Sequence, residues 1–264
     1  MTRVAVAATA PFGADVLERL AARHEIAYLL TQPDRPSGRG RRVAPPPAKL
    51  TAEKLGIPIR QPERLGDEFD ADVDTLVAVA YGQLVPRGAL ERARWLNVHP
   101  SLLPRWRGAA PVERALMAGD EETGVTIIEL VEELDAGPIA AQEKFAVGID
   151  DDAGALFARA AELTPDLIDV ALDNRRPAPQ ADDGATYADK IGPADRELDW
   201  SRPPEELHNR IRALSPHIGA RGMVEGRRAI VWRSRLVDGR LELLEVQPEG
   251  RRQMTYDEFL RGLR

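Results

Sequence analysis

Val4-Ala5-Val6-Ala7-Ala8, then Val16, Leu17 and Leu20 inside residues 10–23, then Glu25-Ile26-Ala27-Tyr28-Leu29-Leu30 form the opening of the chain. The first run is apolar without alternation, as in a strand covered on both faces. The middle segment places its large apolar residues at helical spacing, and the third run is again strand-like. Strand, helix and strand in succession make a βαβ unit, the building block of a parallel sheet. The pattern recurs downstream: a short helix at 50–55, an apolar strand at 73–80, a helix at 86–94 and a short strand at 96–99.

Beyond residue 100 the reading gives a helix near 112–117, strands at 125–131 and 139–145, and helical periodicity over 151–172. Asp150, Asp151 and Asp152 place carboxylates at the start of that last helix, where the helix dipole favours them. Residues 173–204 turn to Pro, Asp, Gly and Arg, the composition of a linker. A small unit follows, with a helix at 205–213, strands at 229–236 and 241–246, and a terminal helix from Tyr256. The expected fold is therefore α/β: a Rossmann-like, mostly parallel sheet with helices on both faces, then a small truncated β-rich C-terminal domain. Its boundaries are 1–175 for the first domain, 176–203 for the linker and 204–264 for the short last domain.

Bulk properties narrow the chemistry. Apolar residues make up 43% of 264, enough for a buried core, and charged residues 30%. Apolar runs are short and interrupted by charge, so no membrane span is expected, and the first residues lack the pattern of a signal peptide. Cysteine is absent, which excludes disulfides, thiolate metal sites and a cysteine nucleophile. The expected compartment is the cytoplasm, and a monomer is expected. A net charge of −7 argues against a broad nucleic-acid footprint, although binding needs only a local basic patch.

The densest chemical signal is Asn97-Val98-His99-Pro100-Ser101-Leu102-Leu103-Pro104-Arg105-Trp106-Arg107-Gly108-Ala109-Ala110-Pro111. In an open parallel sheet ligands sit beyond the carboxyl ends of the strands. Asn97 and His99, two apart at a strand end, face one side, so an amide and an imidazole address one spot. Taken alone, Asn-x-His is weak, and His99 could equally be a hydrogen-bonded histidine of the scaffold. The three remaining histidines, at positions 24, 208 and 217, are too scattered in sequence to suggest a metal site.

The whole run resembles the active-site signature of the folate-dependent formyltransferases, and in its full length that of the members acting on methionyl-tRNA. The resemblance implies a catalytic set of Asn97, His99 and a downstream aspartate. Thr123-Gly124-Val125-Thr126 leads to Leu134-Asp135-Ala136-Gly137, and the match selects Asp135 over Glu129, Glu132 and Glu133. It implies transfer of the formyl group of 10-formyltetrahydrofolate to an amine through a tetrahedral intermediate, with no metal. Asn97 and a protonated His99 would stabilise the oxyanion, and Asp135 would orient His99 or relay a proton. The resemblance also assigns the folate site to Ser101, Leu102, Leu103 and Pro104, and to Tyr81, Gly82 and Leu84 within Ala80-Tyr81-Gly82-Gln83-Leu84-Val85-Pro86. A purely structural reading of Tyr81-Gly82, as a turn ending a strand, stays open.

Thr31-Gln32-Pro33-Asp34-Arg35-Pro36-Ser37-Gly38-Arg39-Gly40-Arg41-Arg42 carries four arginines in its last eight residues. Composition alone makes it a solvated basic surface loop. It resembles the insertion loop with which formyltransferases acting on tRNA engage the acceptor arm. That resemblance makes Arg35, Arg39, Arg41 and Arg42 the candidate tRNA contacts and initiator methionyl-tRNA the partner. The alternative acceptor is a sugar or nucleotide amine. Thr186-Tyr187-Ala188-Asp189-Lys190, Leu198-Asp199-Trp200 and the segment from Leu244 to Met254 extend the likeness over nearly the whole chain. One departure is a stretch missing between Asp238-Gly239 and Leu241, which in the family supplies strands of a barrel-like domain. A full barrel is therefore not expected. Residues 210–264 stay net basic, which keeps an electrostatic tRNA contact possible.

Overall fold

The computed structural model describes residues 1–37, 42–181 and 183–263. Strand β1 (Arg3–Ala8), helix α1 (Pro11–Ala21) and strand β2 (Glu25–Leu30) form the opening βαβ unit. Val4 through Ala8 are fully buried, which is why the run is apolar without alternation. Pro11 starts α1, where a missing N–H costs nothing, and Val16, Leu17 and Leu20 make its buried face. Gly13 lets that helix approach closely, since a Cβ there would sit 2.6 Å from the Val79 carbonyl and 2.8 Å from the Ala8 methyl.

Helix α2 (Pro47–Leu55) ends on Gly56, left-handed at φ 69°, and strand β3 (Ile59–Arg60) joins the outer side of β2. Strand β4 (Thr75–Val79) is buried throughout and pairs parallel to β1, Ala5 opposite Leu76. After α3 (Arg87–Arg92), strand β5 (Arg94–His99) pairs parallel to β4 with Ala78 opposite Asn97. Helix α4 (Pro111–Ala118) precedes strand β6 (Glu122–Glu129), which runs antiparallel to β5, His99 opposite Thr126. Strand β7 (Ile139–Ala146) completes a seven-stranded sheet of order β7-β6-β5-β4-β1-β2-β3. Every pairing from β3 to β5 is parallel, as the apolar runs predict. The strand order reverses at β1, so the turns after β1 and β4 flank the switch point where such sheets bind ligands.

Helix α5 (Ala153–Asp173) follows, and the Asp152 carboxylate accepts the Ala155 N–H at 2.8 Å. The remainder is helix α6 (Pro204–Leu214), strands β8 (Ala220–Val224), β9 (Arg227–Val237), β10 (Arg240–Pro248) and β11 (Met254–Thr255), and helix α7 (Tyr256–Arg261). The four strands pair antiparallel in chain order around Ile211, Leu214, Val231, Val246 and Phe259. Glu225-Gly226 and Asp238-Gly239 make the first two turns, each residue at positive φ, the geometry that matches strand twist. At the second turn Val237 pairs directly with Arg240, and no further strand intervenes. Strands β8 and β11 go beyond the sequence expectation. β8 is only five residues long with Gly222 inside it, and β11 has two residues.

By contacts the chain forms two compact units. One comprises Met1–Arg107, Gly124–Lys144 and Ala158–Ala185; the other comprises Gly108–Thr123, Phe145–Phe157 and Thr186–Arg264. No helix among the described residues is long and apolar enough to cross a membrane.

Candidate active site

The carboxyl end of β5 presents Asn97 and His99 on one side of the sheet. The Asn97 side-chain amide donates to Asp135 Oδ1 at 3.3 Å, and His99 Nδ1 lies 3.6 Å from Asp135 Oδ2. One carboxylate, on the loop after β6, therefore faces both side chains that the sequence places together. His99 and Asp135 are 4% and 8% exposed. The other ring nitrogen, Nε2, lies 2.8 Å from the backbone carbonyl of Trp106. A carbonyl only accepts, so Nε2 carries the proton of that bond, and Nδ1 is the nitrogen turned toward the carboxylate.

Asp135 is held there by backbone geometry. Its φ is 49°, in the left-handed region, and Gly137 allows the loop to fold back on β6. A Cβ on Gly137 would fall 1.7 Å from the Glu129 carbonyl. The Gln180 side chain donates to the carbonyls of Asp135 and Gly137, both at 2.7 Å. Its own amide oxygen accepts from the Arg107 guanidinium at 2.8 and 3.1 Å. Sequence reasoning missed Gln180, which lies among residues read as linker. A single glutamine in a Pro-rich stretch carries no periodic signal, although the ladder contact of Ala178 with Ile139 fixes the backbone just before it.

The turn after β5 is equally fixed. The Thr126 hydroxyl donates to the Ser101 carbonyl at 2.6 Å and accepts the Leu103 N–H at 3.2 Å. Gln142 donates to the Leu103 carbonyl at 3.1 Å and to Thr126 Oγ1 at 2.8 Å. The Ser101 hydroxyl donates to the Arg105 carbonyl, and the peptide between Leu103 and Pro104 is cis. Of the four turn residues assigned to folate, Ser101 and Leu103 are buried and occupied in holding the turn. Leu102 and Pro104 are half-buried, and Leu102 lies across Gly124, where a Cβ would come within 2.5 Å of it.

The second folate segment divides in the same manner. Leu84 is 88% exposed, whereas the Tyr81 ring belongs to a core cluster with Tyr28, Leu30, Leu76 and Trp95. Burial pushes the Tyr81 phenol up to about 12, and its hydroxyl has no hydrogen-bond partner among the described residues. What Tyr81 offers the sheet edge is its carbonyl, which accepts Thr9 Oγ1 at 2.8 Å and Gln32 Nε2 at 3.0 Å. Gly82 sits at φ 75°, and a Cβ there would meet Gln32 Nε2 at 2.7 Å.

The arginine-rich segment has two short strands as its legs, Arg35–Ser37 and Arg42–Ala44, paired antiparallel. Arg35 is exposed, and Arg42 pairs through its backbone with Ser37. Arg39 and Arg41 lie outside the described residues.

Residues 2–172 match the formyl transferase family, and residues 190–240 match the formyl transferase C-terminal domain. The chain belongs to the formyl transferase family. The C-terminal match ends at Arg240, where the two-residue turn stands. A methionyl-tRNA formyltransferase of Paracoccus denitrificans is 41% identical over 291 residues, spanning 99% of this chain and 97% of its own. The alignment is longer than this formyl transferase, so that relative has residues with no counterpart here. Among solved structures, a methionyl-tRNA formyltransferase from Clostridium thermocellum superposes with a TM-score of 0.68 at 17% identity, covering 94% of this chain and 99% of its own. WlaRD, a sugar 3N-formyl transferase solved with dTDP and 5-N-formyl-THF, gives the same TM-score at 14% identity, with 96% and 99% covered. Backbone likeness thus shows the fold and does not separate the two kinds of acceptor.

Proposed function

We propose that this formyl transferase moves the formyl group of 10-formyltetrahydrofolate to the amino group of methionyl-initiator-tRNA, giving formylmethionyl-tRNA and tetrahydrofolate. The acceptor follows from the full-length identity with the methionyl-tRNA formyltransferase, and the chemistry from one observation: Asn97 and His99 face the two oxygens of one carboxylate. In the transfer the neutral amine attacks the formyl carbon and the carbonyl pair moves onto oxygen. The amine then loses a proton, the folate nitrogen gains one, and the bond between that nitrogen and the formyl carbon breaks. Asn97 has a second amide N–H to offer the oxyanion once the first is given to Asp135. His99 Nε2 is engaged by Trp106, so Nδ1 is the ring nitrogen left to exchange a proton, and the Asp135 carboxylate 3.6 Å away orients that side and favours its charged form.

Donor binding is assigned to the backbone at Tyr81 and Gly82, to Leu84, and to the turn Ser101, Leu102, Leu103 and Pro104. Acceptor binding is assigned to Arg35, Arg39, Arg41 and Arg42, whose guanidiniums suit phosphates and unpaired bases. In this reading residues 1–175 carry the chemistry, 176–203 link, and 204–264 add a basic surface, in a monomer working in the cytoplasm without a metal. Incubation with 10-formyltetrahydrofolate and Met-charged initiator tRNA should yield formyl-methionine. Transfer to a nucleotide-linked amino sugar, with the charged tRNA left unformylated, would overturn the assignment in favour of the sugar acceptor.

A further inference from the structure

The first leg of the arginine hairpin is tied to the Tyr81 turn by a continuous chain of polar contacts. Gln32 lies just past β2 and reaches sideways across the sheet edge, its Nε2 donating to the Tyr81 carbonyl at 3.0 Å. Its backbone carbonyl in turn accepts the Gln61 side chain at 2.8 Å. Gln61 Nε2 also donates to Asp34 Oδ1 at 2.9 Å, and Lys49 Nζ, from α2, lies 2.9 Å from both oxygens of that carboxylate. Asp34 immediately precedes the first strand of the hairpin. These donors hold its carboxyl below the usual carboxylate range, Gln61 first and Lys49 next. Gly82 leaves the space that the Gln32 amide needs, because any side chain there would meet it.

We propose that Gln32, Asp34, Lys49 and Gln61 act as a strap that couples the Tyr81-Gly82 turn to the hairpin, with Gln32 and Gln61 as positioning residues. The inference deepens the functional reading above and rests on it: the turn is taken to meet the folate, the hairpin the acceptor. The physical reason is geometric. Gln32 spends its side chain on one segment and its main chain on the other. A displacement of the Tyr81 carbonyl by a ligand is passed to Asp34 through two amide groups and one carboxylate, with no flexible surface side chain between. Ligand binding at either end then biases the other by the same factor. Lys49, from α2, pairs with both Asp34 oxygens and so keeps that carboxylate turned toward Gln61 at the foot of the hairpin.

Amide hydrogen exchange of the whole protein, with and without tetrahydrofolate, tests the coupling independently of turnover. In the wild type, tetrahydrofolate should slow exchange at residues 80–84 and also at Arg35–Ser37 and Arg42–Ala44. Gln61→Leu should keep the slowing at 80–84 and abolish it in the hairpin, and Gln32→Leu should do the same. Both variants should raise KM for charged tRNA about tenfold with kcat nearly unchanged, the signature of lost acceptor positioning. Slowing in the hairpin that persists in both variants would overturn the strap, as would slowing confined to 80–84 in the wild type. No folate effect at 80–84 in the wild type would overturn the underlying donor-site reading instead, and the strap with it.

Discussion

At the residue scale the site depends on Asp135, which accepts from Asn97 and faces His99 Nδ1. Asp135→Asn keeps the shape and removes the charge, so turnover should fall by orders of magnitude while tetrahydrofolate affinity changes little. Steady-state kinetics with equilibrium titration distinguish this from simple loss of binding. On the proposed mechanism Asn97→Ala should lose about 2.7–4 kcal/mol of transition-state stabilisation, the usual value of one oxyanion donor. Gln180→Leu leaves the Asp135 and Gly137 carbonyls without their donor, each omission costing about 1–3 kcal/mol where water cannot replace it. Its kcat should therefore drop along with its melting temperature. The pair Asn97 and His99 is readable from the chain because residues two apart on a strand must share a side. Gln180 is not readable, since it meets Asp135 from 45 positions away. The Tyr81 side chain is a third lesson. The family resemblance assigns Tyr81 to the folate site, and within it the ring belongs to the core while the carbonyl accepts from Gln32 at the edge.

At the scale of elements, legibility follows how much backbone repeats a pattern. Strands β1, β2 and β4 are apolar through most or all of their length and stand out as blocks. β8 alternates buried and exposed residues over only five positions, with an arginine and a glycine inside, so its period is too short to emerge from surrounding coil. The direction of β6 against β5 is also hidden, because antiparallel and parallel strands share the same apolar run when both faces are covered. Two glycines test how elements are joined. Gly137→Ala places a Cβ against the Glu129 carbonyl and should displace the Asp135 loop, lowering kcat as well as stability. Gly239 at φ 71° has open space around it, so Gly239→Ala meets only the left-handed backbone penalty, about 1–2 kcal/mol. Chemical denaturation should show that loss with activity in the folded fraction unchanged.

At the scale of the whole molecule, one ion pair joins two distant stretches within the unit that contains the C-terminal sheet. Arg114 on α4 donates to both oxygens of Asp195 at 2.8 and 3.0 Å, and the Gly192 N–H adds a third bond. The Arg114 guanidinium is the main reason that the Asp195 carboxyl titrates below its ordinary range. A depressed folded-state pKa contributes stability above the unfolded value, about 3.9, and loses it as pH falls through the folded value. Asp195→Asn should therefore be less stable than wild type at pH 7, and the gap should close as acid unfolding is followed below about pH 4. A gap of constant size down to pH 2 would assign the effect to packing rather than charge.

The Asp238-Gly239 corner has a practical corollary. Because the strands on either side are in register with each other, extra chain can be spliced in at that corner without disturbing any pairing already made. Closing a longer excursion is entropically inexpensive, about 0.6 kcal/mol for each doubling of its length. The corner thus tolerates a longer connection, and a foreign peptide grafted there should leave the sheet, and the geometry of Asn97, His99 and Asp135, intact.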